Sequence, residues 1–229
     1  MSERVSTPDT SSSRKHLEGL SAVSDAAAEE WRTLTDDSVE IIPNGIDLQK
    51  YSFGYKNPDP KTILYVGRLE GRKGVKYLLR AYGLLAEENK DLRLAIVGDG
   101  PDRTKLERLA ADLKLPRTEF LGYVSDERKL ELLGEAALFC SPALFGESFG
   151  IVLLEAMASG VPIVAGDNPG YNAVMAGRGQ VSVVNPRQTA AFARQLELLA
   201  YDDDMRNLWR QWAKDYVRHF DYPKVVDKY

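Results

Sequence analysis

From residue 62 onward, short apolar runs alternate with stretches of helical periodicity. The runs are "TILYVG" (62–67), "LRLAIVG" (92–98), "TEFLG" (118–122), "ALFCSP" (137–142), "PIVAG" (162–166) and "QVSVV" (180–184). Amphipathic helix patterns follow the first four, at 74–88, 102–113, 126–135 and 149–159. A short helical stretch near 171–177 follows "PIVAG", and residues 188–200 and 203–218 read as closing helices. Strands separated by helices of this length pair in parallel through right-handed crossovers. The strands are nearly continuous apolar runs, as expected where helices cover both faces of a sheet. The chain is therefore expected to form an α/β fold, a doubly wound parallel sheet, over residues 60–218. About 160 residues is an ordinary domain size.

Residues 17–59 stand outside that pattern. "SAVSDAAAEEWRTL" reads as a helix capped by Ser24, and "SVEIIPNGID" as a short strand ending in a Pro-Asn-Gly turn. "FGYKNPDP" reads as a linker punctuated by Pro58 and Pro60. One helix and one strand cannot make a core of their own. They are expected to be the end of a preceding domain and to pack loosely here. Residues 1–16 are rich in Ser, Thr and charge, contain no apolar signal core, and are expected to form a flexible tail.

Bulk properties narrow the function. With 30 basic and 34 acidic residues the net charge is −4, which argues against a general nucleic-acid binder. Cys140 is the only cysteine, so no intrachain disulfide can form, and a cytoplasmic location follows naturally. No apolar stretch approaches the roughly 20 residues that span a bilayer.

In an open parallel sheet, ligands bind at the C-terminal ends of the strands. The first exit, "VGRLEGRKGV", places Arg68 and Lys73 in one strand-to-helix loop, which is either a solvated basic loop or an anion site. The second, "GDGPD" (98–102), has only two glycines and reads as a turn rather than a dinucleotide fingerprint. The third, "LGYVSDERK", offers Val124 and adjacent backbone to a nucleobase, with Lys129 one turn into the next helix and Ser125 or Asp126 as its cap. The fourth is "FGESFGIVLLEAMASGVP" (145–162). Its helix start at Ser148-Phe149-Gly150-Ile151 leaves backbone N–H groups free for an anion. Glu147 precedes that start. Glu155 lies inside an apolar helix with no obvious ion-pair partner in the sequence, so it is either an exposed helix residue or the acceptor for a ligand hydroxyl.

These exits resemble the retaining glycosyltransferases of the GT-B fold, family 4, which includes phosphatidylinositol mannosyltransferases and sucrose-phosphate synthases. The resemblance rests on "IIPNGID" (41–47), "YVGRLEGRKGV" (65–75), "IVGDGP" (96–101), "FLGYVSD" (120–126) and "GESFGIVLLEAMASGVPIVA" (146–165), in that order. It covers about residues 20–229 and is strongest from 62 to 166. It implies a Rossmann-like lobe, the C-terminal, donor-binding half of a two-lobed, metal-independent enzyme that uses no cofactor besides its nucleotide sugar, a UDP-, GDP- or ADP-sugar. By the same resemblance Arg68 and Lys73 would bind the donor diphosphate, Val124 the base, and Lys129 would lie near the donor. Backbone at Phe149, Gly150 and Ile151 would meet phosphate and sugar. Glu155 would bind the ribose hydroxyls, and Glu147 would be the catalytic group facing the transferred sugar. The acceptor would be a lipid, a glycan or a small molecule, and the enzyme would be cytoplasmic, peripheral to the inner membrane face if the acceptor requires it.

By the same resemblance, residues 17–59 would be the last helix and strand of the family's N-terminal lobe. Neither His16 nor His219 falls in a matching motif, and 219–229 would begin the family's C-terminal crossing helix. "YDDDM" (201–205) contains Asp-x-Asp but lies between two closing helices, away from the strand exits, and is not read as a metal site. Cys140 is expected in the core. Rival readings are an epimerase or phosphorylase on the same fold, and a non-enzymatic lobe that needs a partner. A nicotinamide-dependent dehydrogenase is disfavoured because no full fingerprint follows the first strand.

Overall fold

The computed structural model describes residues 19–34, 36–54 and 61–227. The tail expected over 1–16 and most of the linker expected over 53–60 lie outside the described residues. The chain opens with β1 (Leu20–Ala22), α1 (Asp25–Arg32) and β2 (Val39–Ile41). The alternating part runs β3 (Thr62–Val66), α2 (Val75–Ala86), β4 (Arg93–Val97), α3 (Arg103–Asp112), β5 (Thr118–Gly122), α4 (Asp126–Glu135), β6 (Leu138–Ser141), α5 (Ile151–Ala158), β7 (Ile163–Gly166), α6 (Pro169–Val174) and β8 (Val183–Val184). It closes with α7 (Thr189–Tyr201), α8 (Asp203–Tyr216) and α9 (Tyr222–Val226).

Strands β3 to β8 form one six-stranded sheet in the order β5-β4-β3-β6-β7-β8, every pair parallel. This is the expected doubly wound, Rossmann-like lobe. Growth of the sheet runs one way from β3 through β4 to β5, then restarts on the other side of β3 with β6. The loops leaving β3 and β6 therefore meet at the topological switch point, the place where such sheets bind ligands. Every residue of β6 and β7 is buried, which explains why both read as unbroken apolar runs. Edge strand β5 alternates between partly buried and exposed positions.

Local chemistry sets the helix starts. Ser125 Oγ accepts from Arg128 N at 3.2 Å, so Ser125 rather than Asp126 caps α4. Asn168 caps α6 by accepting from Tyr171 N at 3.0 Å. Asp202 caps α8 by accepting from Met205 N at 2.9 Å, which accounts for one acid of the "YDDDM" run. The helix expected from 149 begins only at Ile151, because Gly150 is left-handed at φ 99°, ψ 56°. The strand expected over 180–184 shrinks to two residues, because 177–182 forms a 3₁₀ turn.

The N-terminal segment differs from the expectation of a helix and strand without a sheet. Residues 20–22 form a strand too short to signal itself in the sequence, and β1 pairs in parallel with β2, Leu20 opposite Val39. The β1–α1–β2 unit is tied to the main lobe. Ser24 caps α1, accepting from Ala27 N at 3.1 Å, and its own hydroxyl donates to the Ser148 carbonyl. Ala28 is fully buried, and α1 packs against α6. Further on, Ile46 N donates to Phe220 O at 2.8 Å and Tyr222 N donates to Ile46 O at 3.0 Å. The segment after β2 is thus strapped to the chain's last helical turns.

Candidate functional site

The loop leaving β3 runs Gly67-Arg68-Leu69-Glu70 into a 3₁₀ turn, Gly71–Lys73, before Gly74 starts α2. Gly74 has φ 72°, and a Cβ on it would stand 2.0 Å from the Pro142 carbonyl oxygen. Only glycine lets this turn rest directly on the loop leaving β6. Leu144 N then donates to Arg72 O at 2.8 Å, fastening the two exits together.

That contact sets an ionic cluster at the switch point. Glu147 Oε1 accepts from Lys73 Nζ at 2.6 Å and from Arg72 Nη1 at 2.9 Å. The same Arg72 nitrogen donates to Gly146 O at 2.7 Å, and Nη2 of Arg72 reaches Glu70 Oε1 at 2.7 Å. The Glu147 side chain is 10% exposed, so its charge is held by partners rather than by bulk water. Arg68 stands apart. Its side chain is 69% exposed, with Glu70 Oε2 at 3.8 Å as its ionic neighbour. Arg72 was missed in the sequence although it sits inside "GRKG", because its role depends on a carboxylate 75 residues away.

Helix α5 leads away from this centre. Its N-cap, Gly150, provides no side-chain cap, so the first N–H groups keep the partial positive charge of a helix start. A Cβ on Gly150 would meet the ring of Tyr171 at 2.7 Å. Burial, together with the charge of Glu147, pushes the Tyr171 hydroxyl well above its ordinary pKa, so it stays a neutral partner 2.7 Å from Ser141 Oγ. Phe149 is buried edge-on against Phe220 with ring centres 5.9 Å apart, which anchors the entry to the helix. Ile151 remains exposed beside it.

The fifth residue of α5 is Glu155, and the structure corrects the reading that it lacks an ion-pair partner. Its Oε1 accepts from Lys129 Nζ of α4 at 2.8 Å and from the Tyr51 hydroxyl at 3.2 Å. Lys129 also reaches Asp126 at 3.2 Å. Burial opposes the Lys129 charge, but the bonds and charges of Glu155 and then Asp126 together outweigh it, and the Lys129 pKa is raised. These partners lie 26 and 104 residues from Glu155, beyond any helical spacing. Val124 is half-buried in the loop between β5 and α4, and its neighbour Tyr123 is 87% exposed.

The candidate residues therefore form two clusters joined by α5: Lys73, Arg72 and Glu147 before it, Glu155, Lys129 and Tyr51 along it. Cations beside an uncapped helix start can take an anion, and a carboxylate with one oxygen engaged can still accept from hydroxyls. Cys140 is fully buried in β6, where burial raises its thiol pKa. His219 Nδ1 sits 2.9 Å from Tyr216 O near the C-terminus.

The family model described as "Glycosyl transferases group 1" matches residues 49–216. Phosphatidyl-myo-inositol mannosyltransferase of Mycobacterium leprae is 36% identical over 217 residues, covering 92% of this chain and 57% of that protein. The chain spans about half the length of the curated relatives it matches. Among solved structures, a mutant of S. aureus TarM in complex with fondaparinux, alpha-GlcNAc-glycerol and UDP superposes with a TM-score of 0.79 at 18% identity, over 92% of this chain and 42% of that one. The pneumococcal O-GlcNAc transferase GtfA, in complex with UDP and GlcNAc, gives 0.77 at 19% identity, over 91% and 43%. At such identities the likeness is one of fold.

Proposed function

The chain belongs to the glycosyl transferases group 1 family, and from that premise we propose that it is the donor-binding lobe of a retaining, metal-independent glycosyltransferase. The observation that carries this reading is the contact of Lys73 and Arg72 with Glu147 at the switch-point crevice, beside the uncapped start of α5.

Breaking the anomeric C–O bond of a nucleotide sugar leaves negative charge on the nucleoside diphosphate. Arg68, Arg72, Lys73 and the N–H groups at Gly150 and Ile151 would receive that charge, and fixed donors are worth most where water is excluded. Glu147 would face the transferred sugar and favour the positive charge growing at its anomeric carbon. Glu155 would hold the ribose, and backbone at Val124 the base. In the retaining reaction, the acceptor oxygen bonds to the anomeric carbon on the face the diphosphate leaves, and its proton passes to the departing phosphate oxygen. Residues 17–59 would be the end of the acceptor-binding lobe, docked here through Ser24 and Ala28. The name of the mycobacterial relative makes a mannosyl donor the first sugar to try. Among the described residues, no helix is long and apolar enough to cross a membrane.

Calorimetric titration with UDP, GDP, ADP and their sugars tests the reading, in the presence and absence of a chelator. One nucleoside diphosphate is expected to bind equally in both. Binding of none overturns the donor-lobe reading, and binding lost to the chelator overturns its metal independence.

A further inference from the structure

Tyr51 lies in the segment that leads from β2 into the main lobe, next to a 3₁₀ turn at Leu48–Lys50 whose cap, Asp47, accepts from Gln49 N at 3.1 Å. Nothing in its sequence surroundings marks it as part of a site. In the structure its hydroxyl lies 3.2 Å from Glu155 Oε1, the same oxygen that Lys129 Nζ approaches at 2.8 Å. The other oxygen, Oε2, accepts no hydrogen bond among the described residues.

We propose that Tyr51 is a positioning residue of the donor site: with Lys129 it fixes Oε1 of Glu155, so that Oε2 is presented as the acceptor for the two ribose hydroxyls. The inference rests on the donor-lobe reading and adds to it a residue from outside the parallel sheet.

The physical argument has three parts. A glutamate on a helix has three side-chain torsions, and a carboxylate that must swing into place on binding loses affinity to that ordering. Two donors on one oxygen remove most of this freedom before ligand arrives. The donors differ in kind. Lys129 is a point charge that a shift of its flexible stem could carry to Asp126, 3.2 Å away. Tyr51 has a rigid ring and one hydroxyl, which defines a direction. Finally, burial first and the charge of Glu155 second raise the Tyr51 pKa, so the hydroxyl keeps its proton and remains a donor throughout the physiological range.

The position of Tyr51 in the chain gives the contact a second consequence. Ile46, five residues before it, is bonded in both directions to Phe220 and Tyr222. The strap that carries Tyr51 is thus held at one end by the C-terminal turns and touches the donor site at the other. Ribose binding at Glu155 would be felt in this strap.

The experiment compares the full chain with its Tyr51→Phe variant, each titrated with UDP, GDP and ADP and with the 2′,3′-dideoxy form of each. Phenylalanine keeps the ring and removes only the hydroxyl. The unsubstituted chain should bind one diphosphate, and Tyr51→Phe should weaken that binding about three- to tenfold, the scale of one modest hydrogen bond. Against the dideoxy nucleotide the two proteins should agree within about twofold, because Glu155 then has no ribose hydroxyl to meet. A loss of the same size for both nucleotides would mean that Tyr51 acts through the fold and would overturn the proposal, as would no loss for either. Failure of the unsubstituted chain to bind any diphosphate would overturn the donor-lobe reading together with this one. Binding that survives with no difference between the two proteins would overturn this one alone.

Discussion

Lys73 Nζ stands 2.6 Å from Glu147 Oε1, closer than the Arg72 guanidinium at 2.9 Å. The contact links the loop after β3 to the loop after β6, across the point where the sheet reverses its growth. A diphosphate bound at this switch point, as proposed, would therefore share Lys73 and Arg72 with Glu147 or displace it. That competition frames the expectations for the site.

On the proposed function, removal of Arg68 or Lys73 should weaken nucleoside diphosphate binding and leave nucleoside binding alone. For Arg68→Ala and Lys73→Ala the expected loss is roughly 1.5–3 kcal/mol each, the range for hydrogen bonds to charged groups. Arg72→Ala should lose a similar amount and also lower the melting temperature, since Arg72 holds Gly146 O and joins Glu70 to Glu147. Parallel titrations with nucleoside and nucleoside diphosphate, with melting curves, separate these effects. Equal losses for both ligands would assign the cations to the fold.

The Glu155 cluster should make alkaline pH, and not neutral pH, the sensitive region. Folding raises the pKa of Lys129 above 10.5 and that of Tyr51 above 10.0. The folded state then holds protons that the unfolded state releases, so this stabilisation is complete below pH 10 and lost as pH rises through the folded values. Stability measured from pH 7 to 11 should fall above about pH 10. A Lys129→Met, Tyr51→Phe double variant should lose part of that slope. An unchanged slope would mean that other groups carry it.

Much of this was legible in advance, for identifiable reasons. Strands β3, β4, β6 and β7 read clearly because burial on both faces forces largely apolar runs, and Ser24 and Ser125 sit where caps leave local signatures. Glu147 and Glu155 were visible as carboxylates flanking and entering an apolar helix. Their partners were not. Arg72 and Tyr51 reach them from 75 and 104 residues away, and only the fold creates those distances. Strand β1 was invisible because three residues, Leu20–Ala22, are too few to show a period of two. Its partner β2 is legible as a strand, but with β1 hidden the sequence offers it no sheet.

Gly74 should be among the least replaceable residues of the site loop. At φ 72° an alanine is strained by about 1–2 kcal/mol, and its Cβ would also stand 2.0 Å from the Pro142 carbonyl oxygen. Gly74→Ala must therefore push the β3 and β6 loops apart, destabilising the lobe and weakening diphosphate binding through Lys73. Gly71→Ala is the matched control, three residues away, where the Cβ would meet only Asp102 Oδ2 at 3.7 Å. Denaturant melts of both variants decide it. Similar stabilities would mean that the two loops are not in the contact described.

The two glutamates should separate into binding and catalysis. Glu155→Gln keeps the shape and one acceptor, yet it gives up the charge that pairs with Lys129 and accepts from Tyr51. Nucleotide affinity should fall while the fold persists. Glu147→Gln removes the charge that holds Lys73 and Arg72, the cations proposed to take the diphosphate. Diphosphate affinity should stay level or rise slightly, because the cations are released from their carboxylate. In a complete two-lobed enzyme the same change should lower turnover by orders of magnitude, since the charge matters most when the anomeric carbon becomes positive. Both variants should be titrated with nucleoside diphosphate in this chain and assayed for turnover in a two-lobed glycosyltransferase that contains it. A Glu147→Gln protein that binds diphosphate worse and turns over normally would reverse the assignment: Glu147 would then serve only to hold Lys73 and Arg72 in place, and the catalytic carboxylate would have to be sought elsewhere.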